Sequence, residues 1–170
     1  MTMLAFHDDP AIKAKYVNRM KNHIAADQVI QKLSWEEETN SGCAVGCTLN
    51  SYSHEAYEEE LGIPEALARL EDSIFEGLPV RDAPAFALGF LTAIHPGADL
   101  SMVTSRMCHW MLTSPDLDLQ GKATEAGRSA IVTVATLYSQ RIAGNEPSDT
   151  EWSSARSAAW TKIAGNLLVF

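Results

Sequence analysis

Gly42-Cys43-Ala44-Val45-Gly46-Cys47-Thr48-Leu49-Asn50-Ser51-Tyr52-Ser53-His54 is the segment in which reactive side chains lie densest along the sequence. On a helix starting at about Cys43, the two thiols, the Asn50 amide and the His54 imidazole would share one stripe, because they recur at helical spacing. Three chemistries compete for that stripe. A thiol enzyme would use Cys43 or Cys47 near a helix N-terminus as nucleophile, with His54 as base. On a straight helix, however, Cys47 and His54 stand two turns apart, roughly 10 Å of rise, so a break at residues 51–53 or another histidine such as His109 would be needed. A zinc site would take Cys43, Cys47 and His54, completed by Cys108 or His109, with a C-x3-C spacing in place of the frequent C-x2-C. The third reading is packing: two small buried thiols, with Gly42 and Gly46 letting another helix come close. This is the reading that the Gly, Ala and Val surroundings favour. If the stripe instead lines a pocket, the ligand-binding set is Cys43, Cys47, Asn50, Tyr52, His54 and Trp110, the last two aromatics offering stacking surfaces. Trp35, Trp110, Trp152 and Trp160 are expected mainly as core anchors, although a cleft lined by them would suit a purine-like ring.

These residues need helices to position them. Asp9 and Pro10 form a helix start, and Ile12, Tyr16, Met20, Ile24, Val29, Ile30 and Leu33 keep helical spacing, predicting one long helix over about 10–34. Gly62 ends a second helical segment, Pro64 opens a third that Gly77 closes, and Pro84 starts a fourth that breaks at His95-Pro96-Gly97. Asp99 reads as the N-cap of a stretch through Thr113, and a further helix is expected over about 121–142. Ser148 and Glu151 make a capping box for a last helix over about 148–168, with a stripe of Trp152, Arg156, Ala159, Ile163 and Leu167. The expected fold is all-α, a single-domain bundle of about six or seven helices.

Composition narrows the function classes. The chain has 170 residues, 46% of them apolar, and a formal net charge of −9, enough to build a core and opposed to tracking a phosphate backbone, which needs clustered Lys and Arg. Nucleic acid is therefore not expected as a direct partner. The lack of a long apolar run and of a basic, apolar leader predicts a cytoplasmic protein without a membrane partner. Three cysteines, an odd number, predict free thiols in a reducing compartment. Charge is blocked along the sequence: Lys13, Lys15, Arg19, Lys21 and Lys32 face Asp27 alone, whereas 34–82 carries twelve acids against Arg69 and Arg81. Such blocks read first as solvated faces and second, over Glu36 to Glu60, as an acidic decoy surface for a nucleic-acid-binding host protein.

Four ordered motifs carry a resemblance. Gly42-Cys43-Ala44-Val45-Gly46-Cys47-Thr48, Glu60-Leu61-Gly62-Ile63-Pro64, the run from Leu67 through Arg69-Leu70-Glu71-Asp72 to Gly77-Leu78-Pro79, and Gly97-Ala98-Asp99-Leu100-Ser101 resemble a family of uncharacterised proteins of bacteriophages, prophages and bacterial chromosomes. The likeness spans about residues 7–113, and the Ala- and Trp-rich tail resembles the C-terminal helices of the same proteins. Members often carry His where this chain has Asn50, so an obligatory Cys-Cys-His-His stripe is not implied here. The resemblance implies no particular activity. By gene company it implies a phage-type accessory protein with a counter-defence use, in the bacterial cytoplasm, binding a small, nucleotide-like ligand or a host protein without turnover, with zinc as the one cofactor considered and a homo-oligomer as a further expectation.

Overall fold

The computed structural model describes residues 3–167, with side chains to residue 160. The described residues form nine α-helices and one hairpin of two-residue strands, so the all-α expectation holds and the helix number exceeds it. The chain divides into two compact units, one through Ser101 and one from Met102 onward.

The first unit opens with a left-handed turn. Phe6, His7 and Asp8 all have positive φ, a conformation that costs non-glycine residues roughly 1–2 kcal/mol each. Burial of Ala5 and Phe6, the bond from Ala5 N to Ala98 O at 2.9 Å and the 2.9 Å contact of His7 Nε2 with Glu59 O offset that cost. Helix α1 (Pro10–Ala25) then starts as its sequence indicates, with Pro10 in the first turn and Asp9 accepting from Ala11 N at 2.7 Å.

The predicted continuation of α1 to residue 34 is wrong. Helix α1 stops at Ala25, because Asp27 and Lys32 take positive φ and the β-branched Val29-Ile30 pair is pulled out to meet the cysteine segment. Ile30 N donates to Gly42 O at 2.8 Å, and Gly42 N donates to Gln28 O at 3.0 Å. Strands β1 (Trp35–Glu36) and β2 (Ser41–Gly42) pair antiparallel directly beyond it. Val29, Ile30 and Leu33 matched the helical period by coincidence; extended backbone uses the same residue types at a different spacing.

Helix α2 (Ala44–Leu49) is short, capped at its start by Cys43 and ended by Asn50 in the left-handed region. Two neighbours explain its glycines. A Cβ on Gly46 would lie 2.0 Å from Ser34 O, and one on Gly42 would lie 2.7 Å from the same oxygen. The close approach is thus made by the backbone leading into β1, not by another helix as the sequence suggested. Helices α3 (Ala56–Leu61), α4 (Glu65–Gly77) and α5 (Ala83–Ala93) follow, and Gly62 ends α3 in the left-handed conformation that its position requires. Helix α1 packs on α2 and α5, and α4 packs on the same two. Tyr16 and Met20 from α1, Val45 and Cys47 from α2, Phe75 from α4 and Leu91 from α5 are buried together.

The second unit holds α6 (Val103–Thr113), α7 (Leu119–Lys122), α8 (Glu125–Ile142) and α9 (Asp149–Leu167), with α8 packed against α6, α7 and α9. The helix predicted over 121–142 is split, because Ala123 is extended and Thr124 caps α8 through its hydroxyl, which accepts from Gly127 N at 3.2 Å. Asp99 does not cap α6; it accepts from Ser101 N at 2.9 Å in the turn before it. The capping box stands as read: Ser148 N donates to Glu151 Oε2 at 2.8 Å, and Glu151 N to Ser148 Oγ at 3.3 Å. The side chains of Ile163 and Leu167, and residue 168 at the predicted helix end, lie outside the described residues. Trp110 and Trp160 are exposed instead of core.

A pair of glycine substitutions tests this packing. Gly46→Ala should lower unfolding free energy by about 1–3 kcal/mol, since neither backbone can move aside. Gly89→Ala, in the exposed interior of α5 with nothing within 4 Å of the added carbon, should raise it by about 0.5–1 kcal/mol. Urea unfolding of both variants measures the difference; equal behaviour would mean that the Ser34 approach is not close.

Candidate functional site

The two caps of α2 lead to separate polar clusters. At its start, Cys43 Sγ accepts from Gly46 N at 3.4 Å and donates to Ser34 O at 3.5 Å. Cys47 Sγ, one turn on, donates to Gly42 O at 3.3 Å and Gln28 O at 3.4 Å. Both thiols are therefore committed to backbone. Burial pushes Cys43 up to about 12, with the Asp72 carboxylate adding to the rise, and burial pushes Cys47 up to about 11. A group so placed resists becoming the thiolate that nucleophilic chemistry requires.

The helical stripe drawn from Cys43 to His54 does not exist, because α2 ends at Leu49 and Asn50 turns the chain. The turn brings His54 and Tyr52 to Asp72 on α4. His54 Nε2 lies 3.2 Å from Asp72 Oδ2, and Tyr52 donates its hydroxyl to the same oxygen at 3.1 Å. Their rings meet edge-on at 5.0 Å. Cys43 thus has an acid as its ionisable neighbour, and the imidazole of His54 is spent on that acid. Among the described residues, no three His, Cys, Asp or Glu side chains gather where they could hold a metal ion, so Cys43, Cys47 and His54 do not converge as ligands. Trp110 lies on α6 of the second unit, exposed.

Beside Asp72, the carboxyl of Glu71 is 0% exposed. It accepts the Tyr57 hydroxyl at 2.8 Å, while its other oxygen, Asp72 Oδ1 and Thr48 Oγ1 have no hydrogen-bond partner among the described residues. Burial raises Glu71 to about 8, against the opposing Tyr57 hydrogen bond and with the Asp72 charge assisting. Within the acidic block Glu71 and Asp72 look like solvated acids, but Leu67, Ala68 and Phe75 mark the buried face of α4 that Glu71 shares.

The other cap faces a cleft. Asn50 Oδ1 lies 2.9 Å from His23 Nε2, and His23 Nδ1 lies 2.8 Å from Gln28 Oε1. His23 is 3% exposed and meets the edge of Trp35 at 5.8 Å. Above this row, α1 contributes Lys15, Asn18, Arg19 and Asn22, and the hairpin contributes Asn40, around a volume of about 530 Å³. Arg19 donates to Thr48 O at 2.8 Å and lies over the Tyr16 ring, which holds its guanidinium in place. Neither Lys15 nor Arg19 forms an ion pair among the described residues. Of the residues singled out from sequence, Asn50 alone lines this cleft; the basic face of α1, read as solvated, supplies its charge.

Alkylation should label Cys108, which is half-buried, well before Cys43 or Cys47 in the native chain at neutral pH. Peptide mass spectrometry against time reads the order, and early labelling at Cys43 would restore the nucleophile reading.

Glu71 should impose a pH dependence. Below its usual value of 4.5 both folded and unfolded states hold the proton; between 4.5 and about 8 only the unfolded state releases it, so stability falls as pH rises through that window. At about 1.36 kcal/mol per unit, the cost near pH 7 is about 3 kcal/mol. Glu71→Gln keeps the acceptor for Tyr57 and should be more stable than the parent at pH 7 and equal to it at pH 4 by urea unfolding. A gain of the same size at both pH values would contradict this.

Comparison with models of known protein families, with curated proteins and with solved structures finds no match.

Proposed function

We propose that the chain is a non-catalytic binding protein whose first unit captures a small anionic, nucleotide-like ligand in the cleft beside His23 and Asn50. The observation that carries this reading is the lining itself. In a chain of net charge −9, this cleft is walled by Lys15, Arg19, His23 and carboxamides, with no Asp or Glu among its lining residues. Two cations without carboxylate partners among the described residues favour an anion, and Arg19 is held at the cleft wall by Thr48 O and the Tyr16 ring. Carboxamides of Asn and Gln pair with the edges of a base or with sugar hydroxyls. The volume matches that of pockets that hold compounds of nucleotide size.

Binding without turnover fits the committed thiols and the imidazole of His54 engaged by Asp72. The four-motif resemblance adds a setting to this reading, a phage-type accessory protein that withholds a nucleotide signal from its host.

Calorimetric titration of the full chain with ADP, adenosine and inorganic phosphate tests the proposal. ADP should bind, adenosine should bind at least tenfold more weakly, and ADP should be recovered unchanged. The double variant Lys15→Gln with Asn18→Ala, both exposed positions, should lose at least tenfold in ADP affinity, about 1.4 kcal/mol, with its melting temperature held within about 2 °C. No binding of ADP, or equal binding by parent and variant, would overturn the assignment.

A further inference from the structure

We infer that the groove between α8 and α9 in the second unit is a separate binding site for a planar aromatic ligand bearing an acidic group. The groove encloses about 590 Å³ and is walled by Tyr138 and Arg141 from α8 and by Trp152, Arg156 and Trp160 from α9. Ala155 and Ala159 line it as well, and their small side chains leave the space open.

Along α9, Trp152, Arg156 and Trp160 recur every four residues and so share one face. One guanidinium therefore stands between two indoles. Trp152 is the ordered wall: Tyr138 meets it edge-on at 4.9 Å, and the Arg141 guanidinium lies 5.1 Å from its ring. Arg141 is fixed in turn by Glu146, to which its Nε donates at 2.8 Å, so its charge is neutralised. Arg156 has no ion-pair partner among the described residues and is exposed. The remaining charge in the wall, Asp149, precedes Arg156 by two helical turns, roughly 10 Å along the axis. An acid beside Arg156 is therefore clear of it.

Trp160 is 65% exposed, and a flat ring laid against it with its acid on Arg156 covers that apolar surface. Aromatic stacking supplies the ring preference, and the unpaired guanidinium supplies the preference for an acid over a neutral or cationic group.

Indole-3-acetate is a suitable probe, with indole-3-acetamide as the ring without the charge and cyclohexylacetate as the charge without the ring. The nitrogen-15-labelled full chain is followed by NMR at its four indole N–H signals. Saturable shifts are expected at Trp152 and Trp160 with indole-3-acetate, and at neither Trp35 nor Trp110. The acetamide should bind at least tenfold more weakly, and cyclohexylacetate should not bind. Arg156→Gln should bring indole-3-acetate down to the affinity of the acetamide while leaving the acetamide unchanged; Trp160→Leu should weaken both. No shift with indole-3-acetate, equal binding of acid and amide, or an Arg156→Gln variant that binds like the parent would each overturn the site. The cleft beside His23 uses none of these residues, so the outcome here is independent of the test proposed for it.

Discussion

The carbonyl of Ser34 lies against the backbone of α2, and much of the first unit depends on that approach. It needs glycine at 42 and 46, where a single added carbon would enter the space of the oxygen. With the carbonyl there, Cys43 N donates to Leu33 O at 2.6 Å, α2 starts at Ala44, and both thiols find backbone acceptors. The approach also draws residues 28–30 out of α1 and places Gln28 beside His23. Cleft and cysteine cluster are thus two results of one contact.

How much of this was legible follows from how local each signal is. Caps and breakers act over three or four residues, and Asp9-Pro10, Gly62, Gly77 and Ser148 with Glu151 all stand where their chemistry indicates. The end of α1 was not legible, because Val29, Ile30 and Leu33 continue its apolar period while a non-local pairing with Gly42 decides their conformation. The same holds for the site. Helical spacing puts Cys43 and His54 on one stripe, whereas α2 ends at Leu49 and His54 and Tyr52 meet Asp72 on α4, to which no spacing rule connects them. The glycines were correctly read as a close approach, and the partner, a passing strand, came from a hairpin too short to show a strand pattern. The basic face of α1 looked like any solvated face until Asn40 and Asn50 arrived from elsewhere to make it one wall of a cleft.

Polar groups in the first unit are divided by cost. The Glu71 carboxyl and the Tyr57 hydroxyl sit in the core, where burial favours their neutral forms, and buried oxygens there with no hydrogen-bond partner among the described residues, such as Asp72 Oδ1, add a desolvation cost. The cations of the cleft remain at the surface, where hydration is retained until something displaces it. A ligand exchanging that water for phosphate oxygens would meet little penalty, whereas any charge brought to Glu71 would meet a large one. On this division the proposed anion would meet less desolvation in the cleft than beside the more conspicuous cysteine segment.

The left-handed turn at Phe6 to Asp8 has a topological consequence. It carries the start of the chain back along the loop at the end of the first unit, where Leu4 bridges Asp99, Gly97 N donates to Ala5 O at 2.8 Å and the Asp8 carboxylate fills the place a side chain at Gly97 would take. Beginning and end of the unit are thereby neighbours. A ring closed by joining them through a short linker would keep every helix of the unit in place, so new termini could be opened in an exposed loop such as 37–40. Connectivity in this unit is separable from its architecture, and the strained turn is the clasp that makes it so.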